Sequence, residues 1–155
     1  RSCLDLFLRE YRLNWMVKTR PYDGVGGLLE GLTRQGFKMA VLSNKIDEIT
    51  KQVVAHLLSQ WKFDAVVGQR QGVPAKPDPT AALEIAGRLG VSPEEFVYLG
   101  DSAVDMKTSV AAGMFPVGAL WGFRSEDELL AGGARVLIGG PMDLLGLLKI
   151  GSFDV

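Results

Sequence analysis

The chain has 155 residues, enough for one domain with its own core, and its 47% hydrophobic and 23% charged residues are ordinary for a soluble globular protein. A net charge of −1 without a basic stripe argues against nucleic acid as a partner. No apolar run reaches the roughly 18–20 residues of a membrane span, so we expect no membrane partner. The single cysteine, Cys3, excludes an internal disulfide and fits a reducing cytosol, which predicts a cytoplasmic protein.

Helical and strand patterns alternate along the first half of the chain. Apolar residues at helical spacing predict a first helix from Ser2 to about Val17. A second helix is predicted from an Asp23 cap to Gln35, where Gly36 ends it. A strand over 37–42 and a helix over 46–58 follow.

The second half continues the alternation. A capping box with Pro at the first helical position is predicted at Ser92-Pro93-Glu94-Glu95. The predicted strands are 65–67, 96–99, 116–121 and 135–138, and the predicted helices are 80–89, 103–112, one opening at Ser125 and one at Pro141. Apolar strands between helices of this length predict an α/β fold, with a parallel sheet covered by helices on both faces.

Three short segments stand at the ends of predicted strands or in the loops between them. They are Ser43-Asn44, then Lys76-Pro77-Asp78-Pro79, then Gly100-Asp101 with Asp105 four residues later. Parallel sheets bind ligands at the carboxyl ends of their strands, so we expect these side chains to converge.

The chemistry of this set suits a phosphoryl group and a magnesium ion. Asp101 and Asp105 offer the oxygen ligands that Mg²⁺ prefers. A hydroxyl and free backbone N–H groups at Ser43 can bind phosphate oxygens, and a lysine held between prolines can neutralise one. Each residue alone has a plainer interpretation, since Ser and Asp commonly cap helices and Lys76 fits a solvated loop.

In this order, the motifs resemble those of the haloacid dehalogenase-like (HAD) phosphatases. The stretches 19–24 and 41–45 are similar to the phosphoglycolate phosphatase branch of that family. The resemblance implies a Rossmann-like core and Mg²⁺-dependent transfer of a phosphoryl group from a small phosphorylated substrate through an aspartyl-phosphate.

The resemblance also implies a role for each residue of the set. Ser43 and Asn44 would bind the phosphate, and Lys45 would touch the substrate. Lys76 would steady the transferring group. Asp101 would ligate the metal, and Asp105 would ligate it directly, ligate it through water, or orient Lys76.

The chain departs from the family at the first motif, Asp-x-Asp-Gly, whose first Asp is the nucleophile. No Asp-x-Asp occurs in these residues, and Asp5 lies in a helical pattern without a following Gly. The helix over 7–15 instead resembles the last helix of the family's cap. We therefore expect residues 1–18 to be a cap remnant and 19–155 a core without its first strand or most of its cap.

In that family the first strand lies between the strands that end here at Leu42 and Leu99. Its loss would leave two open edges, which invite pairing with another chain. We expect either strand complementation or a homodimer at this gap, or direct closure of the two edges on each other. Without a nucleophile the chain alone is predicted to be inactive. The alternatives are a non-catalytic module that binds Mg²⁺, phosphate or a protein, and a phosphomutase of the same superfamily.

Overall fold

The computed structural model describes residues 19–150, with the side chain of Ile150 left out. The predicted first helix, Cys3, Asp5 and the proposed cap remnant lie outside this range. The helices are α1 Val25–Arg34, α2 Asp47–Leu57, α3 Thr80–Leu89, α4 Ala103–Ala111, α5 Glu126–Gly132 and α6 Asp143–Ile150. The strands are β1 Ala40–Ile46, β2 Ala65–Gln69, β3 Val97–Gly100, β4 Phe115–Ala119 and β5 Val136–Ile138.

All strand pairs are parallel, which confirms the predicted α/β class. The strands form two separate sheets, one with the order β1-β2 and one with the order β3-β4-β5. Within residues 19–150, β1 and β3 share no ladder. The expected direct closure of these two edges is therefore wrong.

A cleft of about 760 Å³ lies between the two sheets. Its body is apolar and its polar groups include three of the predicted site residues, Lys76, Asp101 and Asp105. The apolar lining includes Leu28, Leu29, Leu42, Val97, Leu99 and Trp121. The cleft thus lies between β1 and β3, where the family resemblance implies a further strand.

Helices cover the faces of the sheets, and apolar residues of α1, α3 and α6 make many of these contacts. Leu28 of α1 and Leu144 of α6 pack on Val117 and Ile138 of the three-stranded sheet. On the other side, small alanines of α3 pack near Met114 and Tyr98. Among residues 19–150, no helix is long and apolar enough to span a bilayer.

Two boundaries differ from the sequence expectation. β1 begins at Ala40 rather than Phe37, whose side chain is exposed, and it continues to Ile46 instead of ending at Leu42. α1 has Gly24, at φ +87°, as its N-cap residue without a side-chain hydrogen bond, so the predicted Asp23 cap is wrong. The predicted capping box at Ser92 is confirmed, and Gly36, Gly90 and Gly113 take positive φ after their helices.

The start of α2 is fixed to β2 through one carboxylate. Asp47 accepts a hydrogen bond from the Gly68 backbone N–H at 2.9 Å and pairs with Lys51 at 2.6 Å. The hydrogen bond from Lys51, followed by that from Gly68, lowers the pKa of Asp47. A Cβ at position 68 would lie 2.5 Å from both Asp47 Cα and the Lys45 carbonyl oxygen, so only glycine permits this approach.

Gly68→Ala should therefore destabilise the protein by about 2 kcal/mol, because backbone atoms must move to admit the methyl group. The matched control is Gly87→Ala in α3, where nothing lies within 4 Å of the added Cβ. That variant should gain roughly 0.5–1 kcal/mol from helix propensity. Urea denaturation measures both, and equal effects of the two substitutions would contradict the packing at Gly68.

Candidate active site

The ammonium group of Lys76 sits at the mouth of the cleft. Its Nζ lies 2.6 Å from Asp105 Oδ1 and donates to the Leu42 carbonyl oxygen at 3.4 Å. Only 12% of the Lys76 side chain and 11% of the Asp105 side chain are exposed, so water screens this ion pair weakly. One charged group thus contacts both β1 and the helix that follows β3.

The second carboxylate oxygen of Asp105 is also engaged. Oδ2 accepts from the Ser102 hydroxyl at 2.7 Å and from the Asp101 backbone N–H at 3.3 Å. With Oδ1 on Lys76, the carboxylate has partners on both oxygens. Of the three roles that the resemblance allows Asp105, this geometry favours orienting Lys76.

The local sequence around Asp105 explains its placement. Ser102 is the N-cap residue of α4 and its hydroxyl accepts from the Asp105 N–H at 3.3 Å. A Cβ at Gly100 would lie 2.2 Å from Asp105 Cβ, so a glycine at the end of β3 lets the carboxylate fold back over the strand. The Gly-Asp-Ser-x-x-Asp spacing therefore has a steric cause.

Asp101 follows β3 directly and lines the same cleft. Its carboxylate accepts no hydrogen bond from the residues that the structure describes, and the backbone of Gly122 packs against it. A Cβ at Gly122 would lie 2.5 Å from Asp101 Oδ2. A half-buried carboxylate that is not already paired fits a hard cation such as Mg²⁺, which binds through one or two carboxylates plus water or substrate oxygens.

Within residues 19–150, no three or more His, Cys, Asp or Glu side chains are arranged so that they could hold a metal ion. A metal ion here would depend mainly on Asp101, because Asp105 is committed to Lys76 and Ser102. Most of its coordination shell would then come from water, from a phosphate group or from a segment outside the described residues.

Ser43, Asn44 and Lys45 lie within β1 and not after it. The ladder advances four residues along β1, from Leu42 to Ile46, against two along β2, so the intervening residues bulge from the strand. Ser43 Oγ accepts from the Lys45 backbone N–H at 3.1 Å. The Asn44 side-chain amide forms hydrogen bonds with the Lys76 backbone. These bonds connect the bulge to the loop over 70–79, called here the lysine loop.

The structure therefore brings Lys76, Asp101 and Asp105 to one end of the cleft and links Asn44 to Lys76. Ser43 and Lys45 share the bulge, and their contact with phosphate or substrate stays a prediction. Sequence reasoning missed the contacts of Ser102 and Gly122 with the two aspartates. The N-cap pattern at Ser102 could have predicted its contact with Asp105, whereas no pattern in the sequence indicates that Gly122 packs against Asp101.

The hydroxyl of Tyr98 was also missed. It is buried and has no hydrogen-bond partner among the described residues. Burial, and next the negative charge of Asp105, raise the pKa of Tyr98 above its ordinary value. Buried hydroxyls are usually hydrogen-bonded, so this group is an exception within residues 19–150.

Comparison with known proteins places this chain in a family. The model of the haloacid dehalogenase-like hydrolases matches residues 3–119, which is more than half of the chain. The chain belongs to this family, which confirms the resemblance of its motifs.

Individual relatives share the phosphoglycolate phosphatase name. The chain is 36% identical over 120 residues to the enzyme of Aquifex aeolicus (strain VF5), a match covering 77% of this chain and 56% of that one. It is 32% identical over 139 residues to that of Xanthomonas campestris pv. campestris (strain 8004), covering 89% and 63%.

A solved structure is also similar to this chain in fold and sequence. A phosphoglycolate phosphatase candidate from Lactobacillus delbrueckii subsp. bulgaricus superposes with a TM-score of 0.88 at 33% identity, over 94% of this chain and 60% of that one. In all three comparisons the chain spans less than two thirds of its relative's length.

Asp105→Asn should lower the free energy of unfolding by about 3 kcal/mol, because it leaves the enclosed Lys76 ammonium without its counter-charge. The matched control is Lys51→Met, which removes an exposed pair four residues apart on α2 and should cost about 0.5 kcal/mol or less. Urea denaturation of both variants checks the contrast. Similar small losses would show that the Lys76 pair is not enclosed as described.

Proposed function

We propose that this chain is the core of a Mg²⁺-dependent HAD phosphatase acting on a small phosphate ester of the phosphoglycolate type. The observation that carries the proposal is the meeting of Lys76, Asp101 and Asp105 at the end of one cleft. Family membership and the names of the relatives support the reaction class. A cytoplasmic location stays a prediction from the sequence.

Each residue has a part in this proposal. Asp101 would hold Mg²⁺, which when bound would draw charge from the phosphoryl oxygens. Lys76 would neutralise another phosphoryl oxygen, and Asp105 keeps its ammonium at the required position. The Ser43 hydroxyl and the backbone N–H groups of the β1 bulge would hold the remaining oxygens. These interactions position and polarise the phosphate, but they supply no nucleophile.

This binding step can be tested on the chain as it stands. Inorganic phosphate should raise the melting temperature only when Mg²⁺ is present, since each ligand helps to neutralise the other. Asp101→Asn should abolish this joint effect, whereas Asp127→Asn on the exposed first turn of α5 should preserve it. Differential scanning calorimetry measures the shifts. An absent shift in the unchanged chain, or an equal shift in Asp101→Asn, would refute the site.

We further propose that an extended segment carrying Asp-x-Asp-Gly lies between β1 and β3 in the active enzyme. The edges of β1 and β3, which share no ladder, and the apolar lining of the cleft between them support a strand at this position. A second copy of this 155-residue chain could supply a strand, but it could not supply the nucleophile, because no Asp-x-Asp occurs in the sequence. The alternative, a non-catalytic binding module, predicts that no added strand confers activity.

Adding a synthetic apolar peptide that ends in Asp-x-Asp-Gly should therefore confer Mg²⁺-dependent hydrolysis of 2-phosphoglycolate. The chain alone should be slower by several orders of magnitude, because the covalent step is missing. The control peptide has Asn for the first Asp and should bind without restoring turnover. Phosphate release measures activity and calorimetry measures peptide binding. Enzyme-like turnover without the peptide would refute the inactivity of the chain, and peptide binding without turnover would favour the binding module.

A further inference from the structure

Asn44 makes the most specific contact at the site that the proposed chemistry does not use. Its Nδ2 donates to the Lys76 carbonyl oxygen at 3.1 Å, and the Lys76 backbone N–H donates to Asn44 Oδ1 at 2.9 Å. The two residues are 32 positions apart. A single amide side chain thus satisfies both backbone groups of one residue, as a neighbouring strand would.

This reciprocal pair fixes the backbone of Lys76 relative to β1. The lysine side chain starts from that fixed point and ends with Nζ on Asp105 and on the Leu42 carbonyl. A lysine stem has four rotatable bonds, so the ammonium keeps one position only if both ends are held. Asp105 holds the charged end, and Asn44 holds the backbone end.

The rest of the lysine loop has fewer ties to the strands. Gln69, at the end of β2, donates to the carbonyl oxygens of Arg70 and Val73, which brace the near part of the loop. Asp78 accepts from the Thr80 N–H at the start of α3. Between these two points, the Asn44 pair links the Lys76 backbone to β1.

We propose that Asn44 is a positioning residue that acts through Lys76 and does not itself bind the phosphate. Both polar atoms of its side chain are bonded to the Lys76 backbone, which fixes the orientation of the amide and leaves one N–H of Nδ2 outside this pair. This differs from the phosphate-binding role that the family resemblance implies for Asn44. The effect on phosphate rests on the proposed function, whereas the effect on Lys76 does not.

The test is the rate at which Lys76 is acylated by an N-hydroxysuccinimide ester, followed by mass spectrometry on the whole 155-residue chain. The exposed Lys51 in the same molecule is the internal reference. Asn44→Ala should raise the relative rate at Lys76 by about an order of magnitude, because the released backbone lets the ammonium leave the cleft. Asn44→Asp keeps the acceptor for the Lys76 N–H and should give an intermediate rate.

Gln69→Ala is the matched control, since it removes an amide brace from the same loop without touching Lys76, and it should leave the Lys76 rate unchanged. Inorganic phosphate binding with Mg²⁺ is measured in parallel by calorimetry and should weaken in Asn44→Ala. Faster acylation in a chain that never binds phosphate would uphold the positioning role and refute the proposed function. Unchanged acylation, with phosphate binding lost or retained, would overturn the positioning role. A Lys76 rate raised equally by Gln69→Ala would overturn it too, because the loop would then be loosened non-specifically.

Discussion

The contact between Lys76 and Asp105 is the constraint on which the site depends. The two sheets share no ladder in the described part of the chain, and an apolar cleft separates them. The ammonium crosses the mouth of that cleft and contacts a carbonyl of β1 on one side and the carboxylate of α4 on the other. Since both partners are almost enclosed, neither can lose the other without leaving a charge away from water.

This contact also distinguishes the two aspartates by their partners. The Asp105 carboxylate pairs with Lys76 and accepts a hydrogen bond from Ser102, so its charge is balanced within the protein. Asp101 has no such partner among residues 19–150, and its charge is available to a cation. Identical side chains four residues apart thus have different surroundings, because Asp105 folds back over Gly100 and Asp101 packs against the backbone of Gly122.

Much of this arrangement was predictable from the sequence. The alternation of apolar strands with helices predicted the parallel α/β fold. The positions of Lys76, Asp101 and Asp105 in segments that follow predicted strands predicted their convergence. The order of the motifs also predicted the family. The fold and the convergence follow from periodicity and from the geometry of parallel sheets, whereas the family follows from the resemblance of the motifs.

Other features could not be predicted because they depend on contacts between distant residues. The extension of β1 to Ile46 depends on its ladder with β2, and no local signal marks the bulge at 43–45. The use of the Asn44 amide depends on where the lysine loop lies. The wrong prediction of the N-cap has a different cause. Asp is preferred over Gly at N-cap positions, so Asp23 was predicted, but the turn before α1 puts Gly24 in that position.

The approach of Gly122 to Asp101 couples the site to the molecular surface. The loop that leaves β4 presses its backbone against the carboxylate proposed to hold the cation, while the next residue, Phe123, is 92% exposed. The Phe123 ring therefore lies in solvent one residue away from the backbone that packs against Asp101. A change in the conformation of this loop would alter the surroundings of that carboxylate, although the loop itself supplies none of the predicted site residues.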